Sequence, residues 1–133
     1  MLPSPVTLCL PIADRPRSHA FYTDGLGLGT VGELADDGVP EPLRVVVNEG
    51  LHLMLIPTGG FGWTVAGRTV ALPGTVECQL SISVPDGSAV VELVERARAA
   101  GAEVALEPGD QGWAYAGSFA DPDGHLWLVV QGD

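Results

Sequence analysis

The chain says nearly the same thing twice. An apolar alternating run ends in a polar turn at Val6-Thr7-Leu8-Cys9-Leu10-Pro11-Ile12-Ala13-Asp14, and again at Cys78-Gln79-Leu80-Ser81-Ile82-Ser83-Val84-Pro85-Asp86. Later, Gly50-Leu51-His52-Leu53-Met54-Leu55-Ile56 is echoed by Gly124-His125-Leu126-Trp127-Leu128-Val129-Val130. A period of roughly 70 residues is too long for a solenoid unit and fits a duplicated supersecondary module.

Each copy presents the same order of signals. In the first, a strand over 6–12 leads to Asp14 and Ser18, both candidate helix caps. A short helix follows with Ala20, Phe21 and Tyr22, and it stops near glycines 25 and 27. A strand near 28–34, an acidic turn at Ala35-Asp36-Asp37-Gly38, and strands over 42–48 and 51–57 joined at Asn48-Glu49-Gly50 complete it. In the second, a strand over 77–84 precedes a helix over 88–100. Val90, Val91, Val94 and Ala97 form its apolar stripe, Glu92 and Arg96 an outer i,i+4 pair, and Gly101 its stop. Strands near 102–107, 112–119 and 125–131 close the chain, the last after the turn Asp121-Pro122-Asp123-Gly124. The expected class is α+β, two tandem βαβββ modules within a single domain over 1–133. Module one spans about 5–57, a connector 58–75, and module two about 76–131. The connector is Gly/Thr-rich, carries Phe61 and Trp63, and draws its flexibility from Gly59, Gly60 and Gly62.

Composition narrows the function. Hydrophobic residues make up 46% of the chain and mean hydropathy is +0.26, which argues for a packed core over disorder. The apolar runs are strand-length, and Met1-Leu2-Pro3-Ser4-Pro5 does not resemble a signal peptide, so no membrane association and a cytoplasmic setting are expected. Cys9 and Cys78 fall in expected strands and do not suggest a disulfide framework. Seventeen acids face six arginines and no lysine, for a net charge of −11. That balance disfavours nucleic acid and anionic membranes, which need clustered cations. It permits a cationic ligand, and it equally serves solubility alone.

Two segments carry a resemblance. Ile12-Ala13-Asp14 followed by Ser18-His19-Ala20-Phe21-Tyr22-Thr23-Asp24-Gly25-Leu26-Gly27 is similar to the opening strand, turn and helix of the vicinal oxygen chelate superfamily. This is the glyoxalase/bleomycin-resistance/dioxygenase family. Phe119-Ala120-Asp121-Pro122-Asp123-Gly124-His125-Leu126-Trp127 is similar to its approach to the last strand. The resemblance implies that each module is half of a barrel-like cup and that two halves enclose one pocket. It also implies a divalent metal held by His, Glu or Gln, one from the first and one from the last strand of each module. The matching positions stand seven residues before Asp14 and Asp86 and four after Gly50 and Gly124. They hold Thr7, Gln79, Met54 and Leu128. Imidazole and carboxylate donors are missing from all four, so no metal and no cofactor are expected. A shifted site would draw on His52, Glu77 and Cys9, which alternation places on the faces of Met54, Gln79 and Thr7.

Without a metal, the expectation is a small-molecule pocket with an apolar lining and few polar groups. Its inward candidates are Thr7, Cys9, His52, Met54, Glu77, Gln79, Ser81, Leu126 and Leu128. Phe61, Trp63, Trp113 and Tyr115 are wall candidates, with Asp110 and Gln111 flanking, and they suit a planar or cationic ligand. Core or dimer-interface packing is the other reading of Trp63 and Trp113. Trp127, Phe21 and Tyr22 are assigned to packing, and His19 to the surface. No Gly-x-Ser-x-Gly or phosphate-cradling loop is present. The leading function is a metal-free binding protein, antibiotic-sequestering in type. The alternative is a lyase or isomerase with Glu77 or His52 as general base. A homodimer is expected, because exposed sheet edges favour a covering partner and the family implied by the resemblance often builds pockets between chains.

Overall fold

The computed structural model describes residues 1–132, which divide into two compact units, Met1–Val70 and Ala71 onward. Unit one contains β1 (Val6–Ile12), α1 (Arg15–Ala20), a π-helical turn (Phe21–Gly25), β2 (Gly29–Val31), β3 (Leu43–Asn48), β4 (Leu51–Pro57) and α2 (Thr58–Thr64). Unit two contains β5 (Gln79–Val84), α3 (Gly87–Ala99), β6 (Glu103–Asp110), β7 (Tyr115–Ala120) and β8 (Leu126–Gln131). Each unit builds one four-stranded mixed sheet, ordered β1-β4-β3-β2 and β5-β8-β7-β6. The order is the same in both, as a duplication requires.

In unit one the first strand runs parallel to the last, with Thr7 opposite His52 and Cys9 opposite Met54. One sheet face is buried: Leu10 and Ile12 of β1, Leu43 and Val45 of β3, and Leu53 and Leu55 of β4. Phe21, Tyr22 and Leu26 belong to the same core. Asp14 caps α1 by accepting from Arg17 N–H at 2.9 Å. Ser18, the other expected cap, is instead buried within the helix. The π-helical turn, in which Leu26 N–H reaches back to Phe21 C=O at 3.0 Å, buries two consecutive aromatics, with the rings edge to face at 5.0 Å. Arg15 ties the start of α1 to the loop before β3. Its guanidinium contacts Asp37 (3.1 Å) and Glu41 (3.1 Å) and donates to the carbonyls of Val39 (3.2 Å) and Pro40 (2.9 Å).

The segment expected to be a flexible connector is partly helical. Thr58–Thr64 forms α2, anchored by Thr58 Oγ donating to Ile12 C=O at 3.2 Å. Gly60 serves close approach more than freedom, because a Cβ there would stand 3.3 Å from Ile56 Cγ2. The helix ends through Ala66 (φ 58°) and Gly67 (φ 75°), with Gly67 N–H bonding Gly62 C=O at 3.1 Å. Three glycines in seven residues hide this helix from propensity reasoning.

In unit two, Asp86 caps α3 by accepting from Ala89 N–H (2.9 Å) and Ser88 Oγ–H (2.7 Å). Val90, Val94 and Ala97 bury against the sheet, whereas Val91 is exposed. Gly117 lets the helix sit close on β7, since a Cβ there would meet Val94 Cγ2 at 3.0 Å and Leu106 O at 3.2 Å. The expected Glu92–Arg96 pair is not formed among the described residues. Arg98 instead bridges Glu95 and Glu107, joining helix to sheet. Asp121 organises the turn into β8, its carboxylate accepting from the N–H groups of Asp123 and His125, each at 2.9 Å. Strand limits also differ from expectation. β2 is only three residues, β5 starts at Gln79, β6 runs on to Asp110 and β7 starts at Tyr115. Cys78 is therefore exposed and outside any strand, and both cysteines are free.

Two outcomes follow. Leu53 is fully buried, so Leu53→Ala lowers unfolding free energy by about 2–5 kcal/mol, measurable by urea denaturation. The Arg15 guanidinium, and then Val39 N–H, hold the Asp37 carboxyl below its ordinary range. A depressed folded-state pKa stabilises above the unfolded value and loses that contribution as pH falls through the folded one. The wild type is therefore more stable than Asp37→Asn at neutral pH, and the two converge in acid. Parallel pH profiles for both proteins would refute the pairing.

Candidate ligand-binding face

The face opposite the core is where each sheet can act chemically. In unit one, register sets out its rows. Thr7, His52 and Val46 lie side by side across β1, β4 and β3; Cys9, Met54 and Arg44 form the next row; Pro11 and Ile56 follow. All eight are half-buried. In unit two the corresponding rows are Gln79, Leu126 and Ala120; Ser81, Leu128 and Ser118; and Ser83, Val130 and Ala116. Thr7 and Gln79 thus occupy equivalent places, as do Met54 and Leu128, His52 and Leu126, Cys9 and Ser81, and Arg44 and Ser118.

The four positions that would hold a metal do lie on these faces, and their side chains do not suit one. Thr7 and Gln79 offer weak neutral oxygens, Met54 a soft thioether and Leu128 no donor. Among the described residues no three His, Cys, Asp or Glu side chains are grouped for a metal ion. The shifted set also separates. His52 and Cys9 share the open face of unit one, in neighbouring rows. Glu77 stands exposed in a bend two residues before β5, so strand alternation does not apply to it.

The aromatic wall candidates disperse. Phe61 is half-buried on α2, while Trp63, two residues on and so on another side of the helix, is 91% exposed. Trp113 lies in the turn between β6 and β7 and is 63% exposed. Tyr115 belongs to the core side. It alternates with Gly117 and Phe119, and its ring abuts Gly87 at the start of α3, where a Cβ would approach to 3.1 Å. Trp127 is buried and stacks on Phe119 at 6.2 Å, and Phe21 and Tyr22 are buried, as expected of packing residues. His19 is half-buried on α1 and His125 half-buried before β8.

One residue escaped the sequence reading. Arg44 sits on the open face of β3 beside Met54, and its Nε is buried without a hydrogen-bond partner; His52 Nδ1 is in the same condition. The signal was present, since Arg44 is the lone charge in the apolar strand Leu43–Asn48.

Two tandem βαβββ modules, each with its first and last strands paired in parallel, define an architecture that the comparisons identify. The model of the Glyoxalase/Bleomycin resistance protein/Dioxygenase superfamily matches residues 5–129, and the chain belongs to that superfamily. No curated protein matches the sequence. Among solved structures, hypothetical protein SA1046 from S. aureus superposes with a TM-score of 0.81 at 23% identity, covering 99% of this chain and 95% of that one. A glyoxalase-related enzyme from Fulvimarina pelagi gives 0.79 at 26% identity, covering 98% and 89%. TnmS3, an antibiotic binding protein from Streptomyces sp. CB03234, gives 0.65 at 20% identity, covering 99% and 98%.

Proposed function

We propose that this protein binds a small organic molecule without a catalytic metal, as an antibiotic-sequestering member of its superfamily. The donor set carries the proposal: at the places where a metal would be gripped, the chain presents Thr7, Met54, Gln79 and Leu128. Stoichiometric binding needs only a shaped, largely apolar surface with a few polar anchors, which the open faces offer. The antibiotic binding of TnmS3 lends the reading a precedent within the same fold. The lyase or isomerase alternative loses support with Glu77 outside β5, which leaves His52, of its two candidate bases, on these faces. Two free cysteines suit a reducing, cytoplasmic setting, and among the described residues no helix is long and apolar enough to cross a membrane.

Metal analysis and ligand screening test this together. Protein incubated with Zn, Fe, Mn or Ni salts and then desalted should retain far less than one ion per chain. In a thermal-shift screen of planar antibiotics, at least one compound should raise Tm. A ligand at a hundred times its Kd adds about 2.7 kcal/mol. One tightly held ion per chain accompanied by lyase or dioxygenase turnover overturns the proposal.

We also propose a homodimer. Both sheets end on strands with one unpaired side, β1 and β2 in one and β5 and β6 in the other, and a second copy is the simplest cover for such edges. Light scattering should give twice the chain mass of 13.8 kDa; a monomer at micromolar concentration refutes it.

A further inference from the structure

The sheet of unit one holds two nitrogen groups that the chain itself leaves unsatisfied. Arg44 Nε and His52 Nδ1 are buried without hydrogen-bond partners. They project from adjacent antiparallel strands on the same face, since Arg44 pairs with Met54, two positions along β4 from His52. Such diagonal neighbours lie roughly 7–8 Å apart, within reach of one small group placed between long side chains. No strand of this sheet contains an Asp or Glu, and no ion pair engages Arg44 among the described residues. Arg15 and Arg98, by contrast, are each held by two carboxylates.

A guanidinium stays protonated at any ordinary pH; Arg44 is half-buried, and its Nε–H, closed off from water with no acceptor, carries the cost of an unmade hydrogen bond. The duplication shows that the fold does not require it. In unit two the equivalent places hold Ser118 and Leu126, and the same sheet order forms. The pair is therefore a feature of the site. We infer that the ligand carries an ionised oxygen, a carboxylate or a phenolate, on an apolar body, and that Arg44 receives this oxygen with His52 beside it. Val46, Met54, Cys9 and Thr7 are the register neighbours of these two residues on the same face and suit the apolar body. This rests on the small-molecule reading above and supplies its substrate class. It also reverses the preference for a cation suggested by the net charge of −11. At physiological salt, charges farther than about 8 Å are largely screened, so the local cation outweighs distant acids once the ligand is seated.

The test is titration calorimetry of the intact protein with four probes: naphthoate and dinitrophenolate as anions, naphthamide as the neutral analogue, and naphthylmethylammonium as the cation. At least one anion should bind about 10- to 100-fold tighter than the amide or the ammonium, the range of a charge-assisted hydrogen bond, and which anion does so tells carboxylate from phenolate. Arg44→Met should erase this preference while the amide affinity changes by less than about threefold, and Arg44→Lys should keep part of it. The ligand-free Arg44→Met protein should melt no lower than wild type, because it loses a buried donor that has no acceptor. Equal affinity for acid and amide, tighter binding of the ammonium, or an undiminished preference in Arg44→Met overturns the inference while leaving small-molecule binding intact. Failure of all four probes overturns the inference, and failure of the wider antibiotic screen as well takes the binding function with it. Should Arg44→Met not fold, Arg44→Lys and His52→Gln decide by the same ratio.

Discussion

The parallel pairing of the first and last strand within each unit is the constraint on which the rest depends. It sets Thr7 beside His52 and Cys9 beside Met54, and in the second unit Gln79 beside Leu126 and Ser81 beside Leu128. Side chains alternate with a period of two, so a slip of one residue would exchange the buried set for the open set along the whole strand. Leu10, Ile12, Leu53 and Leu55 prevent that slip in unit one by filling the core against α1 and the π-helical turn. In unit two Trp127 and Val129, with Val94 of α3 and the absent side chain of Gly117, do the same. The open faces are thus aligned by the buried ones.

The open faces carry few charged side chains. Thr7, Met54, Gln79 and Leu128 lie on the open faces and outside the buried core, so their identity leaves the sheets intact. It changes what the surface can hold. Neutral oxygens, a thioether and a leucine are the groups on which the proposed organic guest rests. Unit one adds a guanidinium and an imidazole, and unit two adds Ser81, Ser83 and Ser118 among aliphatic side chains. The two copies therefore share a backbone plan and differ in chemistry. The cationic pair belongs to one of them.

Much of the architecture was legible in the chain. The duplicated strand-and-turn signature, the Asp14 and Asp86 caps, the valine stripe of α3 and the Asp121 turn all act over a few residues, so local pattern sufficed. The misses share another cause. α2 forms from a glycine-rich stretch because Thr58 bonds Ile12 C=O and Gly60 fits against Ile56. A strand over 112–119 suggests a pocket wall for Tyr115; its place against Gly87 depends on how α3 lies on β7. Glu77 fell off the face because β5 begins two residues later than the apolar run suggested. Arg44 is marked locally as the lone charge in an apolar strand, but that its Nε lacks a partner depends on what the neighbouring strands bring to it.

By itself the sequence determined that two equivalent βαβββ modules would form and which residue types stand along their strands. Alternation, caps and residue identity are properties of short segments, and they need no knowledge of what lies across the sheet. Only the tertiary structure decided which side chains share the open face, which aromatics turn outward, and that Arg44 Nε and His52 Nδ1, on neighbouring strands, are buried without hydrogen-bond partners. Those facts depend on inter-strand register and helix docking, which bring together residues distant along the chain.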